Sequence, residues 1–265
     1  MVESILLSAV RVSSFDGGQP LANASGFFFE RDQHLFVVTS RHVIFDELTG
    51  QHPDRIVIEL HREAGNIANS IGFSIPLYCD GVAVWRIGED GAGPVDMAVV
   101  ELERGALPAG LVYRAFTPAH LVQPSDHVEV GDSLLIVGFP LGFHDALHHL
   151  PVARQAVVAS AFGLRFQGLG FFLTDARMHR GTSGAPVVAR MRGTRGEGRD
   201  LPWLLLGVHS ARFDVGTRDL AEDEALGLNS AWYADMLLTL TAPAECGREK
   251  YSAVRNIGDR RRLKE

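Results

Sequence analysis

Three segments of the sequence, far apart along the chain, each carry a residue that serine-dependent hydrolysis requires. His42 ends one apolar run, Asp96 enters another, and Ser183 stands between glycines, at intervals of 54 and 87 residues. A serine hydroxyl becomes a strong nucleophile when a neighbouring base takes its proton and a third group orients that base. We therefore predict that Ser183 is a nucleophile, His42 its base and Asp96 the orienting acid.

The glycines around the serine suit the same chemistry. Convergent N–H donors stabilise the oxyanion that forms when a hydroxyl attacks a carbonyl. Gly181 and Gly184 allow the backbone to bend so that the N–H groups of Gly181 and Ser183 meet at one point. Each segment alone is typical of an ordinary turn or strand end. It is the ordered set that predicts a catalytic site with an oxyanion hole formed by Gly181 and Ser183.

Most of the chain around these residues has the pattern of short strands. Apolar runs of five to nine residues alternate with Gly, Pro and Asp, a pattern that favours an all-β sandwich or barrel. A short helix is predicted over Arg41–Phe45 and a longer one from about Ser230 to Leu240, where Trp232 and Met236 continue a four-residue spacing. The predicted strands are Ile5–Val12, Gly26–Glu30, Phe36–Thr39, Ile56–Leu60, Met97–Leu102, Leu134–Phe139, Val152–Ser160, Gly170–Thr174, Ala185–Ala189 and Leu204–His209.

These segments together resemble the trypsin/chymotrypsin-like serine proteases, and they are similar to bacterial members of the high-temperature-requirement and glutamyl endopeptidase-like types. The resemblance covers roughly residues 4–242. The matching pieces are TSRH ending at His42, D-x-A-x-x-x-L over Asp96–Leu102 and GTSGAPVV around Ser183, together with ASGFFF (Ala24–Phe29), SLLIVGFPLG (Ser133–Gly142), LLLGVHS (Leu204–Ser210) and FLTDARMHRGTSG (Phe172–Gly184).

This resemblance implies a fold and an activity. The expected fold is two six-stranded antiparallel β-barrels, with residues 1–115 carrying His42 and Asp96 and residues 116–244 carrying Ser183 and a C-terminal helix. Residues 245–265 are expected to be a basic, flexible tail. The implied activity is a serine endopeptidase that acts through an acyl-enzyme, with a protein or peptide as substrate and no metal or cofactor.

The resemblance also suggests which residues choose the substrate. Ser210 is expected beside the Asp96 carboxylate. His209 corresponds to a pocket histidine with which glutamyl endopeptidases meet an acidic P1 side chain, and Arg177 and Arg180 can add positive charge. The alternative is that His209 is a core histidine and both arginines face water. We therefore list His209, Ser210 and Arg177 as candidate substrate-binding residues.

Two departures from secreted family members are informative. Thr182 stands where members that are activated by trimming carry an Asp, so activity is expected without N-terminal cleavage. Val43 stands where many secreted members carry a disulfide cysteine, which agrees with a reducing compartment. The chain has two cysteines, Cys79 and Cys246, too few for a disulfide framework. The N-terminus has no basic and apolar leader pattern, so the expected location is the cytoplasm.

Composition bounds the remaining function classes. The chain has 265 residues, 46% of them hydrophobic, with 25 basic and 32 acidic residues and a net charge of −7. Because residues 245–265 carry seven basic and four acidic residues, the body carries 18 − 28 = −10. An acidic body disfavours nucleic acid as a partner, since phosphate binding needs clustered positive charge. No apolar run is long enough to predict a membrane span.

Three other interpretations are weighed. His144 and His148 have the spacing of a zinc-binding pair on a helix, but the adjacent Gly142 and Pro151 favour a surface loop. An α/β-hydrolase is disfavoured, because residue 185 is not Gly and the order of catalytic residues differs. A binding or signalling module on a protease scaffold stays open, as does an effector protease that is active only when a partner protein triggers it.

Overall fold

The structure, a computed structural model, describes residues 2–45, 50, 52–193, 196–212 and 226–243, with the side chains of 211 and 212 outside the description. The first half holds strands β1 (Ala9–Asp16), β2 (Gln19–Arg31), β3 (His34–Thr39), β4 (Arg55–His61), β5 (Ser70–Pro76), β6 (Tyr78–Cys79), β7 (Val82–Ala83), β8 (Trp85–Asp90) and β9 (Gly93–Leu102). The second half holds β10 (Ser133–Gly138), β11 (Val152–Val158), β12 (Phe171–Asp175), β13 (Pro186–Arg190), β14 (Trp203–Arg212) and β15 (Leu228–Tyr233).

Helical structure is limited to short pieces in the described ranges. The α-helices are α1 (Arg41–Ile44), which follows β3 as predicted, and α2 (Met236–Leu240). None of the helices in the described ranges could span a membrane. Single 3₁₀ turns occur at Ser4–Leu7, Arg104–Ala106, Pro118–His120, Pro140–Gly142 and Phe166–Gly168.

The second half forms the predicted barrel. Its six antiparallel strands close in the order β10-β11-β12-β15-β14-β13. Closure depends on two pairings between strands far apart in sequence: β12 with β15, and β10 with β13. The all-β, chymotrypsin-like fold class is therefore confirmed.

The first half differs in detail from a closed six-stranded barrel. It is a seven-stranded antiparallel sheet in the order β5-β4-β1-β2-β3-β9-β8. In the described residues β5 and β8 are the two edges, and the β6–β7 hairpin lies between them in the chain. Leu77 leads into this hairpin, donating its N–H to Asp54 and accepting from Val84, so these backbone groups do not pair β5 with β8.

The C-terminal helix is shorter than predicted. The predicted helix begins at about Ser230, but the chain as far as Tyr233 belongs to strand β15, and only Met236–Leu240 is helical. Trp232 lies opposite Phe171 on β12 and Val208 on β14, so strand pairing on both sides outweighs the local helical spacing. The predicted tail, 245–265, lies outside the described residues.

An apolar core joins the two halves. Phe27 and Phe29 from β2 and Val137 and Leu205 from the barrel belong to one buried cluster, and Phe116 from the connecting segment packs edge-on against Phe27 at 5.6 Å. Separate clusters fill the sheet and the barrel. The shared core fixes β2 and β3 against the barrel, which is where the predicted catalytic residues meet. The predicted boundary at 115/116 stays a prediction, since the sheet ends at Leu102 and the barrel begins at Ser133.

Candidate active site

Strand pairing in the sheet brings His42 to Asp96. Antiparallel β3 and β9 pair with Thr39 opposite Ala98, and continuing this register sets the residues just after Thr39 against Asp96. His42 lies on α1, which begins two residues after β3 ends. The turn between strand and helix therefore presents the imidazole at the edge where the Asp96 side chain emerges.

The carboxylate of Asp96 holds His42 at two points. His42 Nδ1 lies 2.8 Å from one carboxylate oxygen, and the backbone N–H of His42 donates to the other at 3.0 Å. Because a carboxylate only accepts, Nδ1 carries the proton, which leaves Nε2 of a neutral ring as a base. Burial opposes ionisation of Asp96, but the hydrogen bonds from His42 and Ser210 outweigh it, so the pKa of Asp96 is below its usual value.

Ser210, on β14 of the barrel, links this pair to Ser183. Its hydroxyl donates to Asp96 Oδ2, and its carbonyl accepts the Ser183 hydroxyl at 2.8 Å. Hydrogen bonds to two different groups of Ser210 thus connect the His42–Asp96 pair to Ser183. Two of these residues belong to the sheet and two to the barrel, so the site lies where the halves meet.

The turn that carries Ser183 is tightly packed. Gly184 has φ +86°, and a β-carbon there would lie 2.2 Å from the carbonyl oxygen of Ser25 and 2.5 Å from Thr39 Oγ1. Ala185 N–H closes the turn by donating to the Thr182 carbonyl at 2.9 Å. Glycine at 184 is therefore required both by the backbone conformation and by the approach of β2.

The peptide before Gly181 has a fixed orientation. The Arg180 carbonyl accepts a hydrogen bond from the N–H of Leu141 at 2.6 Å, and Gly181 has φ +90°. In a trans peptide the carbonyl and the N–H point in opposite directions. Holding the Arg180 carbonyl on Leu141 therefore turns the Gly181 N–H away from that loop, as a donor to an oxyanion on the opposite side would require.

The candidate substrate-binding residues differ in exposure. Arg177 and Arg180 are exposed, whereas His209 is only 2% exposed and Ser210 is buried beneath Asp96. His209 Nδ1 is buried and has no hydrogen-bond partner among the described residues. Burial, reinforced by the nearby His42, lowers the pKa of His209 to about 4, so this imidazole is neutral at physiological pH.

The histidines weighed as a zinc pair lie on a loop. Asp145 N–H donates to the Leu150 carbonyl, His148 pairs with Asp145 at 2.7 Å, and the ring of His144 stacks on His149. Within the described part of the chain no group of three or more His, Cys, Asp or Glu side chains is arranged to hold a metal. The segment is the surface loop that its flanking residues predict.

The sequence of this site matches a known family. A model of the trypsin-like peptidase domain matches residues 24–194, which include His42, Asp96 and Ser183. The chain belongs to this family. The predicted resemblance to trypsin-like serine proteases is thereby confirmed.

A solved structure shares the fold of this trypsin-like peptidase. The serine endoprotease from Yersinia pestis is similar with a TM-score of 0.51 and 16% sequence identity, over 90% of this chain. The peptidase spans 65% of the length of that chain. The search of curated proteins found no match to the sequence of this peptidase.

One residue of the candidate site cannot be predicted from the spacing of His42, Asp96 and Ser183. Ser25, in strand β2, is fully buried and contacts both the Ser183 turn and the loop that holds Arg180. The Ser-Gly pair at 25–26 is part of the resemblance to the family, but the two hydrogen-bond partners of the Ser25 hydroxyl are more than 100 residues away, so local sequence patterns do not reveal them.

Replacing Gly184 with alanine is expected to destabilise this peptidase strongly. The new β-carbon collides with the Ser25 carbonyl, and the alanine must adopt an unfavourable positive φ. Overpacking and left-handed strain together predict a loss of roughly 2–5 kcal/mol in the free energy of unfolding. Chemical denaturation measures it. The matched control is Gly17→Ala, at φ +54° with no atom near the new β-carbon, where about 1–2 kcal/mol is expected. Equal losses in the two variants would contradict the packing argument.

Because His209 is buried and neutral, we expect the free energy of unfolding to fall in mild acid. Its pKa is about 4 in the folded protein and near 6.5 when unfolded. The unfolded chain therefore binds more protons between these values, and stability present above pH 6.5 is lost as the pH falls toward 4. The slope from this one group is about 1.4 kcal/mol per pH unit. Denaturant titrations of wild type and His209→Leu from pH 7.5 to 4.5 isolate the contribution of His209. If the free energy of unfolding changes with pH in parallel in the two proteins, His209 makes no such contribution.

Proposed function

We propose that this chain is a serine endopeptidase in which His42, Asp96 and Ser183 form the catalytic triad. The observation that carries the proposal is the hydrogen-bonded run His42–Asp96–Ser210–Ser183, which joins an oriented imidazole to a serine hydroxyl across two halves of the fold. Membership of the trypsin-like peptidase family supports it.

The first step is attack on the peptide carbonyl. The Ser183 hydroxyl turns from the Ser210 carbonyl toward His42, and Nε2 takes its proton as the oxygen attacks the substrate carbon. Asp96, kept ionised by its depressed pKa, stabilises the imidazolium that results. The N–H groups of Gly181 and Ser183 bind the oxyanion, an interaction typically worth about 10²–10³-fold in turnover per donor.

The second half of the cycle reverses these roles. His42 gives its proton to the leaving amine as the C–N bond breaks, and an ester between Ser183 and the acyl fragment remains. A water molecule then loses a proton to His42 and attacks the ester carbonyl, and the proton returns to Ser183 as the acid departs. Side chains of this chain perform every proton transfer, so the proposed mechanism requires no cofactor.

A second candidate is an effector protease that a partner protein switches on, or a binding module that uses the same scaffold. One observation favours the triggered protease: the Ser183 hydroxyl donates to the Ser210 carbonyl at 2.8 Å, so its proton must be redirected toward His42 before attack. A partner that favours this rotation would act as an activator.

A fluorophosphonate probe tests the proposal, because it reacts only with an activated serine. We expect labelling of Ser183 in the purified chain, located by mass spectrometry, and loss of labelling in His42→Ala. Labelling that appears only after a second protein is added would favour the triggered protease. No labelling under either condition would favour the binding module.

Activation by N-terminal trimming is not required in this proposal. Trimmed relatives pair a new amine with a carboxylate just before the nucleophile, whereas Thr182 is buried here and its hydroxyl donates to the His179 carbonyl at 2.5 Å. The uncleaved chain is therefore expected to react with the probe. Reaction only after nicking would contradict this part of the proposal.

The proposed substrate preference is an acidic or polar P1 side chain. His209 is neutral, so the positive charge near such a side chain would come from the exposed Arg177 and Arg180. Cleavage of a peptide library should select Glu, Asp or Gln at P1, and Arg177→Gln should lower kcat/KM for Glu more than for Gln. A profile dominated by Leu or Val would contradict this preference.

A further inference from the structure

Ser25 lies at the junction of three segments that form the proposed site. It is on strand β2, on the sheet side, and no part of it is exposed. Its hydroxyl donates to the Gly181 carbonyl at 2.7 Å and accepts the N–H of Phe139 at 2.9 Å. Its backbone N–H donates to the Ser183 carbonyl at 2.9 Å. A single residue of the sheet thus binds the oxyanion turn, the nucleophile and the supporting loop of the barrel.

These bonds fix the peptides on both sides of Gly181. The following carbonyl, that of Gly181 itself, is held directly by the Ser25 hydroxyl. The preceding carbonyl, that of Arg180, is held by the N–H of Leu141, two residues after Phe139, whose own N–H is anchored on the same hydroxyl. Glycine rotates more freely than any other residue, so these anchors, and not a side chain, determine where the Gly181 N–H points.

Ser25 packs so closely against two glycines that neither position has room for a side chain. A β-carbon at Gly138 would lie 2.5 Å from Ser25 Oγ, and one at Gly184 would lie 2.2 Å from the Ser25 carbonyl oxygen. The Ser25 carbonyl also accepts the Thr39 hydroxyl at 2.8 Å, just before the segment that carries His42. Ser25 is therefore held by the sheet through its carbonyl, and it holds the barrel segments through its hydroxyl and its N–H.

We propose that Ser25 is a positioning residue, whose hydroxyl locks the Gly181 N–H in the orientation that binds the oxyanion. Without the hydroxyl, the Gly181 carbonyl and the Phe139 N–H lose a common partner, and the peptides flanking Gly181 can rotate. Binding of substrate would change little, whereas stabilisation of the transition state would fall. The catalytic part of this role rests on the proposed function, and the positional part does not.

The test compares Ser25→Ala with Ser8→Ala. Ser8 is equally buried, and its hydroxyl likewise donates to a backbone carbonyl, that of Ile5 at 2.7 Å, so it is a matched control for loss of a buried hydroxyl. With the fluorophosphonate probe, the maximal labelling rate of Ser25→Ala should fall about 10–100-fold with the probe's half-saturation concentration unchanged, within the effect of losing one oxyanion donor. Ser8→Ala should label like wild type.

Hydrogen exchange provides a readout that does not depend on activity. Segments 139–142 and 180–184 should exchange faster in Ser25→Ala, with no change in strands β11 and β12. If wild type does not label yet this local change appears, the proposed function fails and the positional role stands. Unchanged local exchange would overturn the role of Ser25. If wild type does label, an unchanged labelling rate in Ser25→Ala, or an equal loss in Ser8→Ala, would overturn it as well. If Ser25→Ala does not fold, Ser25→Cys, which retains a weak donor, is measured in the same two ways with the same expected direction.

Discussion

Replacing Ser183 with alanine will remove hydrolysis while leaving the fold intact. The proposed nucleophile donates one hydrogen bond, to the Ser210 carbonyl, and the turn around it is held by backbone bonds that alanine retains. Loss of the nucleophile in an enzyme with a serine triad typically lowers kcat by about 10⁶-fold. The measurement is the turnover of the best library peptide, followed in parallel with chemical denaturation.

The control for this variant is Ser70→Ala. Ser70 is on the edge strand β5, and its hydroxyl donates to Glu59 at 2.5 Å, so one serine hydroxyl is removed outside the proposed site. We expect its turnover to equal that of wild type. Proteome-wide mapping of new N-termini with wild type and Ser183→Ala would also identify substrates. Hydrolysis by Ser183→Ala above a tenth of the wild-type rate would refute the assignment of the nucleophile.

Changing Asp96 to asparagine is expected to give the second largest loss. An amide can donate to His42 Nδ1, which then holds no proton, so the proton moves to Nε2 and the imidazole can no longer accept one from Ser183. The imidazolium also loses its counter-charge. Such a change typically lowers kcat by about 10⁴-fold. We expect KM to change little, because Asp96 does not belong to the proposed substrate pocket.

Asp132→Asn is the matched control for this change. The side chains of Asp96 and Asp132 are each 21% exposed, and Asp132 pairs with Arg192 at 2.8 Å on the barrel surface. Both variants remove one negative charge, so a general effect of charge or stability would lower both activities. We expect loss of kcat in Asp96→Asn alone. A loss below about tenfold in Asp96→Asn would mean that Asp96 does not set the tautomer of His42.

The sequence predicted the strands that contain an apolar run and missed those that lack one. Phe36–Thr39 and Leu134–Phe139 are continuous apolar runs, and they are buried strands in the structure. Strand β5 is the edge of the sheet, where most side chains are partly or fully exposed, so its sequence lacks an apolar run. β15 was assigned to a helix, because its pairing with β12, more than 50 residues away, does not appear in local periodicity.

For the site, the sequence motifs predicted which residues act as nucleophile, base and orienting acid. His42, Asp96 and Ser183 lie in short motifs whose glycines and flanking apolar residues specify a strand end, a strand entry and a turn. How these residues are held depends on the packing of the two halves: Ser210 joins Asp96 to Ser183, His209 is buried and neutral, and Ser25 anchors the Gly181 turn. The reason is physical. Turn and strand preferences depend on neighbouring residues, whereas the partners of the Ser25 hydroxyl lie 114 and 156 residues away, and only the packing of sheet against barrel brings them within hydrogen-bond distance.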